Sequence, residues 1–247
     1  MSLIQSMILG AIQGFTEFLP ISSSGHLVLA KSLMNIHTGS DISFEVFVHC
    51  GTFVSVLFVF RNDLTNIAGA VVSGLKERNR ITEHYRKSEY FRLTVFIVLG
   101  CIPAGLVGVL FNDRIEAMFE SPRLVSEMLL LTGVVLYATR FAQPGREKDV
   151  TLRTAVGIGL AQAVAIIPGI SRSGSTIACG LLLGVSQERA ARFSFLMAIP
   201  VIFGATLLKA RQLITQPPAP DQLLALAAGT VVAALTGGNV TRDPSIS

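Results

Sequence analysis

Apolar stretches long enough to approach the thickness of a lipid bilayer recur along this chain, and they restrict its fold more than any other feature. They lie at about 42–60, 91–111, 124–141, 193–208 and 222–236. A helix needs roughly 20 apolar residues to span a bilayer. Only 15% of the residues are charged, whereas soluble domains contain roughly 25%. The sequence therefore predicts an all-α integral membrane protein that contacts membrane lipid, with one membrane domain over 1–247.

Two further apolar stretches, 3–19 and 155–170, end in clusters of proline, serine and glycine. Irregular backbone at membrane depth is tolerated where it is buried in protein or lines a cavity. These stretches therefore predict broken or re-entrant helices.

Basic residues cluster in two runs, whereas the segment between them, 112–123, is poor in them. The first run contains Lys76, Arg78, Arg80, Arg86, Lys87 and Arg92, and the second contains Arg140, Arg146, Lys148 and Arg153. The positive-inside rule places both runs in the cytoplasm and 112–123 outside, with 91–111 and 124–141 as the hairpin between them. Glutamates interleave the first run, so we expect a solvated loop and no nucleic-acid partner.

The chain contains an internal repeat. "GAIQGFTEFLPISSSG" at 10–25 matches "GLAQAVAIIPGISRSG" at 159–174. The identical pairs, all offset by 149 residues, are Gly10 and Gly159, Gln13 and Gln162, Ser22 and Ser171, Ser24 and Ser173, and Gly25 and Gly174. The repeat predicts two related halves, about 1–148 and 150–247, of which the second is short at its C-terminal end.

Whether that short end is natural or a truncation, and whether the halves are parallel or inverted, stays open from the residues. Paired broken helices in two halves of a membrane protein indicate a binding site at the repeat interface. We therefore expect the two serine-rich loops to face each other across one cavity.

The first loop carries the ionisable residues. Gln13 and Glu17 are four apart and so share one helix face ahead of the break at Pro20. An ionisable side chain costs roughly 2.5 to 3.5 kcal/mol or more at the centre of a membrane helix, so Glu17 and His26 are functional candidates. The alternative is that the serines and His26 only provide polar contacts between spans.

The second loop, "PGISRSGST", places Ser171, Arg172, Ser173, Gly174 and Thr176 at the start of an apolar run. Glycine and serine ahead of a helix form a nest of backbone N–H groups, where the helix dipole favours an anion. The guanidinium of Arg172 fits two phosphate oxygens. The alternative is a capped helix with an arginine that extends to the interface.

Together the loops supply the groups needed for phosphoryl chemistry: a cationic clamp, a hydroxyl, a proton carrier and a carboxylate. A carboxylate can hold Mg²⁺ or Ca²⁺ together with substrate phosphates and water. No histidine and cysteine pattern predicts zinc, and no Walker or Rossmann motif predicts ATP as the phosphate donor.

"QGFTEFLPISSSGH" and "PGISRSGST", with "FSFLMAIP" after the second, resemble the signature motifs of the undecaprenyl pyrophosphate phosphatase family, also called the bacitracin-resistance family. The resemblance covers about 1–215. It implies an inverted-repeat bundle of transmembrane helices with re-entrant helix pairs, in the bacterial inner (plasma) membrane. It also implies a hydrolase that removes the terminal phosphate of undecaprenyl pyrophosphate for peptidoglycan synthesis, with its active site facing the periplasm or the outside.

By motif, the resemblance assigns the family's functional residues to positions in both loops. The catalytic residues would be Glu17, Ser23, His26 and Arg172. The substrate would be bound by Ser22, Ser24, Ser171, Ser173, Gly174 and Thr176. A divalent cation would be bound by Glu17 with Gln13 and Glu45. Glutamine at position 13 stays within the motif but removes a charge from the cation site. The family continues with a further membrane helix where this chain ends.

Three questions stay open from the sequence. Ser23 either attacks phosphorus, with His26 as the base, or orients a water that does. An inverted-repeat transporter or lipid-phosphate flippase is the alternative function, because such proteins also place broken helices around a central polar site. A homodimer is one assembly the chain could form.

Overall fold

A computed structural model describes residues 1–36, 42–77, 81–143, 148–215 and 217–240, and among these residues it contains helices and turns but no strand. The helices are α1 (Leu3–Phe18), α2 (Ser23–Leu33), α3 (Ile42–Val59), α4 (Arg61–Lys76), α5 (Ile81–Lys87), α6 (Glu89–Leu110), α7 (Asn112–Phe119), α8 (Pro122–Ala138), α9 (Leu152–Val164), α10 (Arg172–Leu182), α11 (Gln187–Thr215) and α12 (Leu223–Val240), with a 3-10 helix at Thr139–Phe141. The all-α prediction is therefore confirmed. The basic residues Arg78, Arg80 and Arg146 lie outside the described ranges.

Within the described ranges, four helical segments are long and apolar enough to cross a membrane: Glu89–Leu110, Pro122–Phe141, Gln187–Leu208 and Leu223–Val240. A fifth span is formed if Phe44–Val59 and Arg61–Lys76, which are bent by 74° at their junction, count as one. The five apolar stretches of the sequence each fall in one of these segments. The chain is a multi-pass membrane protein, as predicted.

The spans are apolar on their outer surfaces. Leu110 and Leu130 are 71% and 74% exposed, and a large apolar surface of this kind needs an apolar environment. The exterior of the helix bundle therefore suits contact with lipid tails.

In each copy of the repeated sequence the helix is interrupted near the proline, as predicted. The first break separates α1 from α2 and contains Pro20, and the second separates α9 from α10 and contains Pro168. Ser22 and Ser171 cap the helices that follow, because their hydroxyls accept the N–H groups of Gly25 and Gly174. The bounds of α2 and α10 differ by the same 149 residues as the sequence motifs. The repeated sequence thus forms a repeated pair of helices.

The first helix of each broken pair crosses a span of the other half at a point where both helices carry a glycine; we call these points glycine crossings. A Cβ atom at Gly10 of α1 would lie 2.3 Å from the carbonyl oxygen of Gly229 in α12. A Cβ atom at Gly159 of α9 would lie 2.4 Å from the carbonyl oxygen of Gly100 in α6. Small residues at such crossings let membrane helices approach closely. The two halves therefore interlock, and the two breaks lie near each other.

Two corresponding apolar cores support these crossings. One lies between α1, α2, α3 and α12 and contains Leu9, Leu27, Phe44, Val48, Leu226 and Ala233. The other lies between α6, α9 and α11 and contains Phe96, Ile97, Ala155, Ile158, Phe193, Leu196 and Met197. Leu9, Phe44 and Val48 match Ile158, Phe193 and Met197 at the repeat offset. The repeat therefore extends into the packing of the core.

Candidate active site

One open cavity, of about 480 Å³, is lined by both breaks. Its polar residues from the first break are Glu17, Ser22, Ser23 and Ser24, and those from the second are Ser171, Arg172 and Ser173. The two loops therefore face one cavity, as the repeat predicts. Its other walls are largely apolar and include Val46, Ala104, Val109, Ile115, Phe119, Ala165, Ile166, Ile170, Pro200, Val201, Ile202 and Leu208.

The carboxylate of Glu17 lies where the two halves meet. Its Oε1 accepts a hydrogen bond from Arg172 Nη2 at 2.8 Å, and its Oε2 accepts one from Ser23 Oγ at 2.5 Å. Glu17 is only 7% exposed, and burying a carboxylate is costly unless it is paired and hydrogen-bonded. The contact with Arg172 joins residues 155 apart in the sequence, so the pairing of Glu17 depends on both halves.

Gln13 supports Glu17 from the previous helical turn. Its Nε2 donates to Glu17 Oε2 at 3.0 Å and to the hydroxyl of Thr52, on α3, at 3.4 Å. Gln13 is fully buried and is not among the residues that line the cavity. Its Oε1 is a buried acceptor that has no hydrogen-bond partner in the described part of the chain. The role of Thr52 was not predicted, because no motif marks it.

Ser23 is the first residue of α2, directly after a strained residue. Ser22 has φ of 69° and ψ of 92°, a left-handed conformation that residues other than glycine adopt rarely and at a cost. Ser22 keeps this conformation while its side chain caps α2. The strained cap fixes the start of the helix and places the hydroxyl of Ser23 on Glu17.

His26 binds the backbone rather than Ser23. Its Nδ1–H donates to the carbonyl oxygen of Ser22 at 2.8 Å, so in the neutral ring Nε2 is the acceptor. Its side chain is not among those that line the cavity. The hydroxyl of Ser23 therefore contacts the carboxylate of Glu17, and the sequence-based pairing of Ser23 with His26 is not formed in this structure.

The second loop touches the first directly. A Cβ atom at Gly174 would lie 2.8 Å from the carbonyl oxygen of Pro20, and Ser173 Oγ donates to the carbonyl oxygen of Leu19 at 3.3 Å. The cap on Ser171 already uses the N–H of Gly174. The first-turn amides that remain for an anion are therefore those of Arg172 and Ser173.

Residues on neighbouring helices hold this loop in place. On α8, Thr132 donates to the carbonyl oxygen of Gly169 at 2.9 Å and accepts the N–H of Ser171 at 3.0 Å. Thr176 is fully buried and shares a hydrogen bond with Ser194 of α11 at 2.5 Å. Thr176 and Gly174, predicted to bind substrate, are not among the residues that line the cavity. Their contacts instead position Arg172.

Arg172 presents an unused donor. Its side chain is 18% exposed, and Nη2 is paired with Glu17. Its Nη1 is buried and has no hydrogen-bond partner among the described residues. A guanidinium with one edge free can bind a phosphate oxygen without giving up the contact with Glu17.

The described residues do not include a cluster of three histidine, cysteine, aspartate or glutamate side chains that could hold a metal ion. Glu45 lines the cavity, but its carboxylate is paired with the buried Lys31 Nζ at 3.1 Å. The remaining donors are Glu17 and the unpartnered Oε1 of Gln13. Of these two residues only Glu17 lines the cavity, and a single carboxylate suits a hard cation that is held mainly by substrate phosphates and water.

The sequence predicted Glu45 of α3 at the cavity, but it did not predict His49 of the same helix or any residue of α7. Asn112 and Glu116 of α7 and His49 of α3 also line the cavity. These residues lie outside the repeated motifs, so only the fold brings them there. Gln162, the repeat counterpart of Gln13, lines the cavity as well, and the repeat could have indicated its position.

The model of the Bacitracin resistance protein BacA family matches residues 6–242 of this chain. An undecaprenyl-diphosphatase of Salinibacter ruber is 43% identical over 93% of this chain and 84% of its own length. Undecaprenyl-diphosphatases of Halothermothrix orenii and Rubrobacter xylanophilus are 41% and 40% identical, each over 96% of this chain and 86% of its own length. On the match to the family model and to these relatives, the chain belongs to the Bacitracin resistance protein BacA family.

Proposed function

We propose that this chain is an undecaprenyl-diphosphatase, a hydrolase that cleaves the diphosphate anhydride bond of undecaprenyl diphosphate. The products are undecaprenyl phosphate and inorganic phosphate, which returns the lipid carrier to peptidoglycan synthesis. The observation that carries this proposal is the contact of Glu17 with both Ser23 and Arg172 at one cavity. A hydroxyl held on a carboxylate beside a free guanidinium edge suits phosphoryl transfer, and transport alone would not need it.

Arg172 binds the terminal phosphate in this proposal. Its free Nη1, the backbone N–H groups of Arg172 and Ser173 and the hydroxyl of Ser171 would bind the anion. The hydroxyl of Ser173 would take part if it released the carbonyl oxygen of Leu19. Phosphoryl transfer is catalysed mainly by positioning and by electrostatic stabilisation. These contacts therefore provide most of the rate acceleration.

Ser23 is the proposed nucleophile, and Glu17 is the proton acceptor. As Ser23 Oγ forms a bond to the terminal phosphorus, its proton moves to Glu17 Oε2 over the 2.5 Å contact. The bond from that phosphorus to the bridging oxygen breaks, and undecaprenyl phosphate leaves with that oxygen. Water then attacks the phosphorus of the phosphoserine, the bond from that phosphorus to Ser23 Oγ breaks, and inorganic phosphate leaves. The proton held by Glu17 returns to Ser23 Oγ, which restores both residues. Nε2 of His26 is the proposed acceptor of a proton from the attacking water, because Nδ1 is occupied by Ser22. His26 does not line the cavity, so its ring would have to move toward Ser23 for this step.

A divalent cation, Mg²⁺ or Ca²⁺, is the proposed cofactor. Glu17 would be its protein ligand at the cavity, and the diphosphate and water would complete its coordination. Oε1 of Gln13, which does not line the cavity, would join only if its side chain turned toward the cation. When bound, it would neutralise charge on the diphosphate. Glu45 would contribute only if its pair with Lys31 opened.

We further propose that the cavity faces the outside of the bacterial plasma (inner) membrane. The cavity is lined in part by α7, which lies in the segment 112–123 that the positive-inside rule places outside. The apolar walls of the cavity would hold the first part of the polyprenyl chain.

Phosphate release from farnesyl or undecaprenyl diphosphate by the purified protein tests this function. We expect release with Mg²⁺ or Ca²⁺ and a strong reduction with EDTA. A correctly folded protein that releases no phosphate under any metal condition would contradict the proposal and favour a transporter.

A further inference from the structure

Gln162 is a buried polar side chain whose amide has no nitrogen or oxygen partner in the described part of the chain. It lies on α9, is 1% exposed and lines the cavity. Its Nε2 and Oε1 are both unsatisfied by such partners. The side chain that interacts with it is the thiol of Cys101, which is only a weak hydrogen-bonding group and itself donates to the carbonyl oxygen of Met197.

The repeat explains why Gln162 lacks a strong hydrogen-bond partner. Its counterpart Gln13 donates to Glu17, which lies four residues later on the same helix face. Four residues after Gln162 stands Ile166, which offers no acceptor. A buried amide without a good hydrogen-bond partner lowers the stability of the folded protein. A hydrogen bond from the amide to a ligand oxygen in the cavity would offset that loss.

The residues already assigned to the terminal phosphate indicate which oxygen that is. In the proposed function Ser23 attacks the terminal phosphate and Arg172 binds it. Gln162 has no part in that set, and the substrate carries one further phosphate, next to the lipid. Apolar residues suited to the polyprenyl chain, such as Ala104 and Pro200, line the same cavity.

We propose that Gln162 binds the lipid-proximal phosphate of the substrate, the one that remains on the lipid after hydrolysis. Its Nε2–H donates to a non-bridging oxygen of that phosphate, while Ser23 attacks the terminal one. Gln162 is thus a substrate-binding residue that holds the leaving group. This inference rests on the proposed function and adds to it a division of the cavity into two phosphate subsites.

The test uses the variant Gln162→Met, which keeps the side-chain length and removes the amide. Farnesyl phosphate and inorganic phosphate serve as competitive inhibitors, because the first carries the lipid-proximal phosphate and the second does not. A hydrogen bond to a charged group contributes about a tenfold to hundredfold change in affinity. We expect the inhibition constant of farnesyl phosphate and the KM of farnesyl diphosphate to rise by about tenfold or more. The inhibition constant of inorganic phosphate should change by less than about twofold.

Two controls separate binding from packing. Ile158→Val alters the buried core side of α9 and should leave both inhibition constants unchanged. Gln162→Glu places a negative charge in the subsite and should weaken farnesyl phosphate binding further, which keeps the proposal testable if Gln162→Met does not fold.

Unchanged inhibition by farnesyl phosphate in Gln162→Met would overturn the subsite. An equal rise for both inhibitors would also overturn it, because the amide would then serve the terminal phosphate or the cavity as a whole. Failure of the wild-type protein to release phosphate would instead contradict the proposed function, so the two failures are distinguishable.

Discussion

Glu17 receives three hydrogen bonds, and each donor has a different role. Gln13 orients the carboxylate, Ser23 provides the hydroxyl, and Arg172 balances the charge. Removing any one donor changes the hydrogen bonds of the other two, because all three bind the same two carboxylate oxygens. Residues that act as a unit show effects that are not additive, so double variants of this group should lose less activity than the product of the single losses.

The role of the planar guanidinium of Arg172 can be tested with the variant Arg172→Lys. Lysine keeps the charge but loses the planar pair of donors that serves Glu17 and the phosphate together. We expect phosphate release to fall by about a hundredfold or more, with little change in the thermal unfolding midpoint. Near-normal turnover in this variant would exclude Arg172 as the phosphate clamp.

The cation site can be tested by Gln13→Glu, which replaces the unpartnered amide oxygen with a carboxylate. A second carboxylate beside Glu17 attracts a cation and repels its neighbour when no cation is bound. We expect half-activation at a several-fold lower Mg²⁺ concentration, and a lower unfolding midpoint in EDTA that Mg²⁺ restores. An unchanged Mg²⁺ requirement together with an unchanged midpoint in EDTA would argue against a cation at Gln13.

The sequence indicated most polar residues of the site but not how they pair. The repeat and the motifs singled out Glu17, Ser23 and Arg172, and the structure brings these three together. Spacing alone suggested Ser23 with His26, because three residues is one helical turn. It could not show that the backbone at Ser22 binds Nδ1 of His26, since that depends on the strained start of α2.

At the scale of the helices, glycine crossings determine how the two halves interlock. The carbonyl oxygens that face Gly10 and Gly159 belong to backbone, which cannot move aside as a flexible side chain can. The position of the breaks, and hence of the cavity, therefore depends on two small residues far from the chemistry.

Gly159→Ala tests this dependence. Its Cβ atom would meet backbone of α6 at 2.4 Å, and overpacking of this kind costs about 1 to 3 kcal/mol. We expect a lower unfolding midpoint and reduced phosphate release. The matched control is Gly133→Ala on α8, where a Cβ atom meets no atom within 4 Å. Equal stability of the two variants would contradict the tight crossing.

The elements that the sequence predicted are those with a strong periodic or repeated signal. The five apolar stretches and the two proline breaks all appear in the structure. The bend between α3 and α4 and the short helix α7 were not predicted. The apolar stretch ends at the polar start of α4, which contains Arg61, Asn62 and Asp63. The direction of the bend depends on tertiary contacts, including the ion pair of Asp63 with Arg192 of α11.

For the whole molecule, the proposed orientation rests on the charge distribution, because the positive-inside rule depends on loop composition. That rule places 112–123 outside, and α7 in this segment lines the cavity. The sequence alone could not show that the cavity is lined by α7, because that depends on how the helices pack.

Cysteine labelling in intact cells tests this orientation. In a background without Cys50, Cys101 and Cys179, Asn112→Cys should react with a membrane-impermeant thiol reagent added outside. Lys76→Cys, at the end of α4, should react only after the membrane is permeabilised. The reverse pattern would place the cavity on the cytoplasmic side.

The most direct test of the central claim is the single-turnover rate of phosphate release by Ser23→Ala, compared with the wild-type protein at saturating farnesyl diphosphate. If Ser23 is the nucleophile that Glu17 deprotonates, the rate falls by about a thousandfold or more, while the variant keeps its unfolding midpoint. A rate within about tenfold of wild type would contradict covalent catalysis by Ser23 and leave water as the attacking group.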